Sequence, residues 1–480
     1  MPRLTIHAWG MIMPSPRTVV LASVIAIILV LSGGARGASP EPGDPTYHNL
    51  RYQDDFSYLA DPSKSSDPWD PIKYISIGDG QYGPSYLSLG GELRERFESY
   101  LNPSFGIKAP KSDAYLLQRL LLDIDAHVTD FVRIFAQLGE LDRLGDRGVT
   151  STTDIDHLDL MQGFVDLRLP SPLGDAPVVR VGREELLFGF QRLIAVREGP
   201  NVRRDFDGVR FTDHWGDATF DFVTVRPVNP SEGVFDDHTN ENQLLWGAYL
   251  TVLLGSVLKA DVYELNYQND TAKFRGLTGV EKRQTLGVRL FGATDGFDWN
   301  GEVALQQGTF RGHDIRADML AGIGGYTFTG LPWEPRIGLE MNYASGDHSH
   351  GSVIGTFNAM YPRLPYFAET SLLVPANVYD VRPVLSFRPV PDVTATLGWD
   401  SLWRASTSDG LYGSAMVEYT NTNKVSGARI GTELSADVRW RIDRHLLVGA
   451  IAAEFISGPA VQEAFGRNVT FFVLFATYRF

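Results

Sequence analysis

The residues best equipped for chemistry are concentrated in one stretch, Arg180 to Arg210, which reads RVGREELLFGFQRLIAVREGPNVRRDFDGVR. It carries Arg180, Arg183, Arg192, Arg197, Arg203, Arg204 and Arg210. A guanidinium stays charged at any relevant pH and offers a planar fork of donors that fits a carboxylate. Several of them facing a watery passage would hold an anionic chain through many weak contacts. Glu184, Glu185, Asp205 and Asp207 are interleaved with them. These acids support a second reading, in which the pairs only tie a loop to its flanking strands.

Other constellations are weaker. Asp347, His348 and His350 resemble a loose metal cluster, and His313 lies in another outer loop. Solvated loop side chains explain them better, so no metal is expected. Glu433, Asp437 and Glu454 mimic paired catalytic carboxylates, but any water-filled barrel interior is full of such groups. The sequence holds no nucleophile elbow, phosphate-binding loop or zinc-protease helix. It has no cysteine, hence no disulfide framework, thiolate metal site or Cys nucleophile. The expectation is a protein without catalytic activity or cofactor. Tyr343-Ala344-Ser345-Gly346-Asp347 ends a strand and opens the longest loop, 344–378, which could fold inward and narrow a pore.

The elements that must position these groups show a rhythm of two. In Leu116 to Val128, Leu120, Leu122, Ile124, Ala126 and Val128 share one face, and Arg119, Asp123, Asp125 and His127 the other. Successive side chains of a strand point to opposite sides, so one face suits lipid and the other a wet interior. Leu286, Val288 and Leu290 oppose Arg283, Thr285 and Arg289 in the same way. So do Ile430, Leu434, Ala436, Val438 and Trp440 against Glu433, Asp437, Arg439 and Arg441. The pattern predicts strands at 85–98, 115–129, 131–141, 157–169, 177–188, 205–214, 217–226, 242–254, 257–268, 282–293, 296–307, 317–328, 333–343, 379–388, 391–404, 429–440, 445–456 and 469–480. That is an all-β transmembrane antiparallel barrel of about 18 strands, with short periplasmic turns and long external loops. A barrel this wide is expected to leave an aqueous channel.

The ends agree with export. Arg3 and Arg17 precede an apolar or small stretch, Val19 to Leu31, and small residues follow through Ala38. This order predicts a signal peptide over 1–38, cleaved after Gly37 or Ala38. A Pro-, Asp- and Ser-rich periplasmic lead-in over 39–84 and a barrel over 85–480 complete the expected organisation. The last strand puts Phe472, Leu474, Ala476, Tyr478 and Phe480 on one face, the form read by outer-membrane insertion machinery. With a net charge of −15, the chain is no nucleic-acid binder by bulk charge. The expected location is the outer membrane of a Gram-negative cell, in contact with its lipid.

The motifs also resemble the alginate export family. The resemblance is carried by Arg51-Tyr52-Gln53-Asp54-Asp55-Phe56 and by Leu89-Gly90-Gly91-Glu92-Leu93-Arg94-Glu95-Arg96. It continues in Val181-Gly182-Arg183-Glu184-Glu185-Leu186, Gln191-Arg192-Leu193 and Asn201-Val202-Arg203-Arg204-Asp205-Phe206-Asp207-Gly208-Val209-Arg210. Phe235-Asp236-Asp237, Ala344-Ser345-Gly346-Asp347 and the Phe357–Pro362 segment follow in order. The resemblance spans nearly all of 47–480 and implies an eighteen-stranded barrel. It also implies an Arg-lined passage for an anionic polysaccharide such as alginate, fed by export machinery on the periplasmic side. Arg183, Arg192, Arg203, Arg204 and Arg210 are the pathway candidates it suggests. Arg197, Arg94, Arg96, Asp205, Asp207 and Asp347 join them as charged candidates of the wall and loops. A general porin for small solutes is the alternative, and a barrel enzyme acting on lipid or glycan a more distant one.

Overall fold

The computed structural model describes residues 47–480 apart from 81–82, 108–111, 146–150, 172–175 and 349–352. The expected signal peptide, the first residues of the lead-in and His350 lie outside the described residues.

Eighteen strands form the wall: β1 Gly83–Leu101, β2 Ser112–Thr129, β3 Val132–Gly145, β4 Asp156–Arg168, β5 Val178–Glu185, β6 Asp205–Trp215, β7 Ala218–Asn229, β8 Gln243–Leu254, β9 Leu258–Phe274, β10 Leu277–Thr294, β11 Phe297–Phe310, β12 His313–Thr327, β13 Arg336–Ala344, β14 Val378–Val390, β15 Val393–Trp403, β16 Arg429–Arg441, β17 Leu446–Ser457 and β18 Val469–Arg479. Each is antiparallel to the next, and β18 returns to pair with β1 with Glu92 opposite Arg479, so the sheet has no free edge. Closure satisfies every ladder group without water, which a bilayer demands.

The two faces are those the alternation predicts. Leu122, Ile124, Leu286, Val288 and Leu290 are 45–47% exposed, whereas Arg119, Asp123, Arg283, Thr285 and Arg289 are buried inside. Phe131, Trp215, Phe297, Phe328 and Trp333 stand exposed beside the periplasmic turns, one aromatic girdle of the apolar band. In β16 the exposure departs from the pattern, since Ala436 and Val438 are buried and Ile430 is fully buried, in a strand against which the short helix Pro459–Gln462 packs.

Two outer connections expected to be long are tight. β9 runs straight to Arg275-Gly276 and β11 to Arg311-Gly312, each pair with positive φ. Two successive positive φ values give the primed turn that matches the twist of a hairpin, and glycine takes the second position without strain. The strands therefore outlast their lipid-facing residues, and the periodicity of the band could not show where they end. In contrast, β5 stops at Glu185 rather than 188, because the chain there turns into the barrel.

Before β1, short turns at Arg51–Gln53, Ser57–Ala60 and Pro62–Lys64, a helical turn at Asp70–Lys73 and a strand at Ile75–Gly80 precede the wall. Tyr52 sits among the inward rings of Phe135 (6.1 Å) and Phe164 (5.4 Å). Arg51 Nε donates to Asp123 at 3.1 Å, so this segment enters the periplasmic mouth. Phe480 exchanges hydrogen bonds with Gly91 (3.0 and 2.9 Å), and its ring lies 4.5 Å from that of Trp69. A Cβ on Gly91 would fall 2.8 Å from the Phe480 ring, so only glycine admits this contact.

Candidate functional site

Two segments fill much of the barrel. One, residues 186–204, joins β5 to β6; the other, 345–377, joins β13 to β14. Leu186, Phe188, Leu193, Ile194, Val196 and Val202 of the first are buried. So are Phe357, Tyr361, Tyr366, Phe367, Leu372 and Leu373 of the second. Such surface gains by leaving water, at about 25 cal/mol per Å². The two segments join through Tyr361 N donating to the Leu193 carbonyl (3.0 Å) and Arg363 N to that of Gln191 (2.9 Å). Phe188 stacks on the wall residue Tyr249 at 4.9 Å. The loop expected to fold inward and narrow the pore does so, joined by 186–204, and an apolar core with cavities beside it occupies the interior.

Most of the arginines picked from sequence are paired. Arg203 lies 2.7 Å from Glu198 and 3.5 Å from both Glu92 and Glu185. Glu92, fully buried, also receives Arg119 and Arg479, each at 2.8 Å, and Arg119 reaches Glu198. Arg94 donates to the carbonyls of Glu198 (2.7 Å) and Pro200 (3.0 Å). Burial works to raise the Glu198 carboxyl, but Arg119 and Arg203 outweigh it and hold its pKa at about 2. These residues make one knot joining β1, β2, β18 and the first inward segment. Glu92, Glu198 and Arg479 were not among the sequence candidates; Glu92 and Arg479 meet only through closure of the sheet, while Glu198 lies five residues from its partner Arg203 within the charged stretch itself.

The other candidates are dispersed. Arg183 binds Asp207 (2.8 Å), Arg210 binds Asp221 (2.8 Å), Arg192 binds Glu302 (2.7 Å), and Arg96 binds Glu98 (2.5 Å). Asp347 receives Arg275 at 3.0 Å, so it ties down a loop. Asp205 is buried, with one carboxylate oxygen lacking a protein donor.

Arg197 and Arg204 differ from all of these. Among the described residues neither has a carboxylate within ion-pair distance. Arg197 donates to the Pro362 carbonyl (3.3 Å) and Arg204 to that of Val228 (3.5 Å), with Arg204 also 5.8 Å from the Tyr361 ring. Burial, then repulsion from Arg204, pushes the Arg197 pKa below its ordinary value. Both line an outer cavity of about 680 Å³ with Lys273, Arg275, Arg283 and Lys424, against Glu281 and Glu418. Tyr267, Tyr361 and the amides of Asn229, Asn240, Gln243 and Asn269 complete its wall. A second cavity, about 430 Å³, runs between the inward segments and the wall beside Arg94, Arg96, Arg439 and Arg479. A third, about 720 Å³, opens at the periplasmic mouth beside Arg133, Arg168, Arg180 and Arg210. Buried cations with amides and aromatic faces can bind an acidic sugar: guanidinium to carboxylate, amide to hydroxyl, ring to the apolar sugar face.

A family model described as "Alginate export" matches residues 85–475. Comparison with curated protein sequences gave no match. Solved structures share the fold. Pseudomonas aeruginosa OccK11 (OpdR) is 14% identical, with 82% of this chain and 95% of that one covered and a TM-score of 0.55. Acinetobacter baumannii OccAB1 is 11% identical, with 85% and 99% covered and a TM-score of 0.57. Pseudomonas aeruginosa OccK2 (OpdF), solved in complex with glucuronate, is 11% identical, with 82% and 97% covered and a TM-score of 0.54.

Proposed function

The chain belongs to the alginate export family of outer-membrane β-barrel channels, and on that premise we propose that it passes an anionic polysaccharide such as alginate outward, without an energy source of its own. The observation that carries this reading is the outer cavity, where the buried Arg197 and the half-buried Arg204 have no carboxylate within ion-pair distance among the described residues. A uronate carboxylate arriving there would relieve a desolvated charge, which makes its hydrogen bonds stronger than neutral ones. The arginine-bearing cleft and the periplasmic basin offer earlier contacts along the same passage. Each is partly neutralised by acids, so a polymer would be held weakly and move on. A periplasmic partner would deliver the chain. Residues 1–38 would act as the export signal and 85–480 as the channel.

A second reading, uptake of a small acidic sugar, draws support from the filled interior and from the glucuronate bound to the similarly folded OccK2. Planar-bilayer conductance separates the two. Export of polymer expects anion selectivity and block by oligomannuronate at lower concentration than by glucuronate. Block by the monomer alone would favour uptake, and a current indifferent to both would end the polyanion reading.

A further inference from the structure

The geometry points to a calcium-binding site at the outer rim, formed by Asp156 and Asp159 of β4 and Asp237 of the 230–242 connection. Ligand oxygens of all three lie within 4.8 Å of one another. That is the widest separation two oxygens can have when both touch one ion at about 2.4 Å, within the range for calcium. Asp156 supplies the independent observation. It is fully buried, and neither of its carboxylate oxygens has a protein donor.

The other two acids are already aimed. Asp159 Oδ2 accepts the backbone N–H groups of Asp236 (2.8 Å) and Asp237 (3.1 Å), and its Oδ1 that of Leu160 (2.6 Å). Asp237 Oδ1 accepts Ser231 N at 2.7 Å. The backbone at the site is bent to this arrangement: Leu158 and Phe235 both have positive φ, and Phe235 N donates to the Leu158 carbonyl at 3.2 Å. The nearest cation, Arg183 at 4.0 Å from Asp159, is already committed to Asp207 at 2.8 Å. One shared guanidinium cannot neutralise three carboxylates. A buried ionised carboxylate without a partner costs several kcal/mol, which a bound cation or a proton would remove. A hard, all-oxygen donor set from two chain segments suits calcium, which accepts irregular geometry and fills its remaining positions with water. The ion would pin the 230–242 connection to the wall beside the first inward segment, whose Val202 N donates to the Thr153 carbonyl at 2.8 Å. The sequence reading expected no metal. Asp156 fell just outside the expected strand 157–169, and three residues apart it and Asp159 would face opposite ways on a regular strand; the register shift between Gly139 and Leu141 lies opposite them.

The test uses the full mature chain refolded in detergent, free of lipopolysaccharide. Calcium binding is followed by calorimetry, and melting is compared in calcium chloride, magnesium chloride and EDTA. The expected result is one calcium per chain, with a dissociation constant on the order of 0.1–1 mM, as in extracellular modules. Melting should rise by several degrees in calcium and less in magnesium. Asp156→Asn and Asp237→Asn should each weaken binding at least tenfold, while the exposed Asp314→Asn leaves it unchanged. In EDTA, Asp156→Asn should melt no lower than the parent, because it removes an orphaned charge rather than a contact. The inference is overturned if the parent melts identically in calcium and EDTA without saturable binding, the buried carboxyl then carrying a proton. It is equally overturned if both variants bind calcium like the parent.

Discussion

Arg203 and Arg204 are neighbours in the chain and opposites in their surroundings. Arg203 is enclosed by Glu92, Glu185 and Glu198, whereas Arg204 meets a tyrosine ring, a backbone carbonyl and the open outer cavity. At the end of the inward segment, just before β6, one side chain enters a knot and the next faces solute. Charge of the same kind therefore serves two ends within two residues: the knot fastens an inward segment to the barrel seam, and the outer cavity receives a guanidinium that no carboxylate of the described residues answers. Counting arginines cannot separate these roles; counting the carboxylates around each one can.

The comparison is broken most severely at Glu92. Glu92→Ala would take from Arg479 its only carboxylate among the described residues and leave Arg119 and Arg203 to share Glu198, and removing one partner of a buried pair costs about 3–5 kcal/mol. Guanidinium unfolding of the detergent-solubilised barrel should show that loss, and an unchanged midpoint would mean the knot carries no strain-bearing load. At the other pole, replacing Arg197 and Arg204 together by Ala should leave unfolding nearly unchanged. Block by oligouronate should weaken about 10- to 100-fold, the value of one or two charge-assisted hydrogen bonds. Equal block by parent and double variant would transfer the ligand to another cavity.

Acid gives a smaller, graded difference. Glu198 is held at about 2 against an ordinary 4.5, so it contributes stability above pH 4.5 that is lost as pH falls from there towards 2. Melting of the parent should decline across that window, and Glu198→Gln should flatten the decline. Salt is the mildest probe. Raising ionic strength from about 0.1 M to about 1 M shortens the screening length from about 10 Å to about 3 Å. Uronate block at the water-filled outer cavity should drop several-fold while the melting temperature set by the buried knot stays put.

The barrel was legible because lipid imposes its own grammar. A strand flanked by hydrocarbon and water tends to alternate, and strands such as β2, β10 and β16 show that alternation in the order of their residues, while β8 and β17 are nearly continuous apolar runs. Strand ends were less legible where polar hairpins run past the membrane, as at Phe274 and Phe310. The site was less legible still. Glu92 and Arg479 are 387 residues apart and meet only because the sheet closes. The inward course of 186–204 did leave a trace. Leu186-Leu187-Phe188-Gly189-Phe190 and Leu193-Ile194-Ala195-Val196 are too apolar for an outer loop, yet without a periodic signal Leu186 to Phe188 resembled the end of a strand and the rest a connection.

The seating of the amino-terminal segment has a consequence for assembly. Arg51 donates both to Asp123 and to the carbonyl of Phe480, and Trp69 donates to Tyr478. Its berth is thus built from the first-made and last-made parts of the cylinder and does not exist until the ring is complete. Protection of residues 47–74 from added protease would then act as a clock for biogenesis, starting only when the final hairpin has docked.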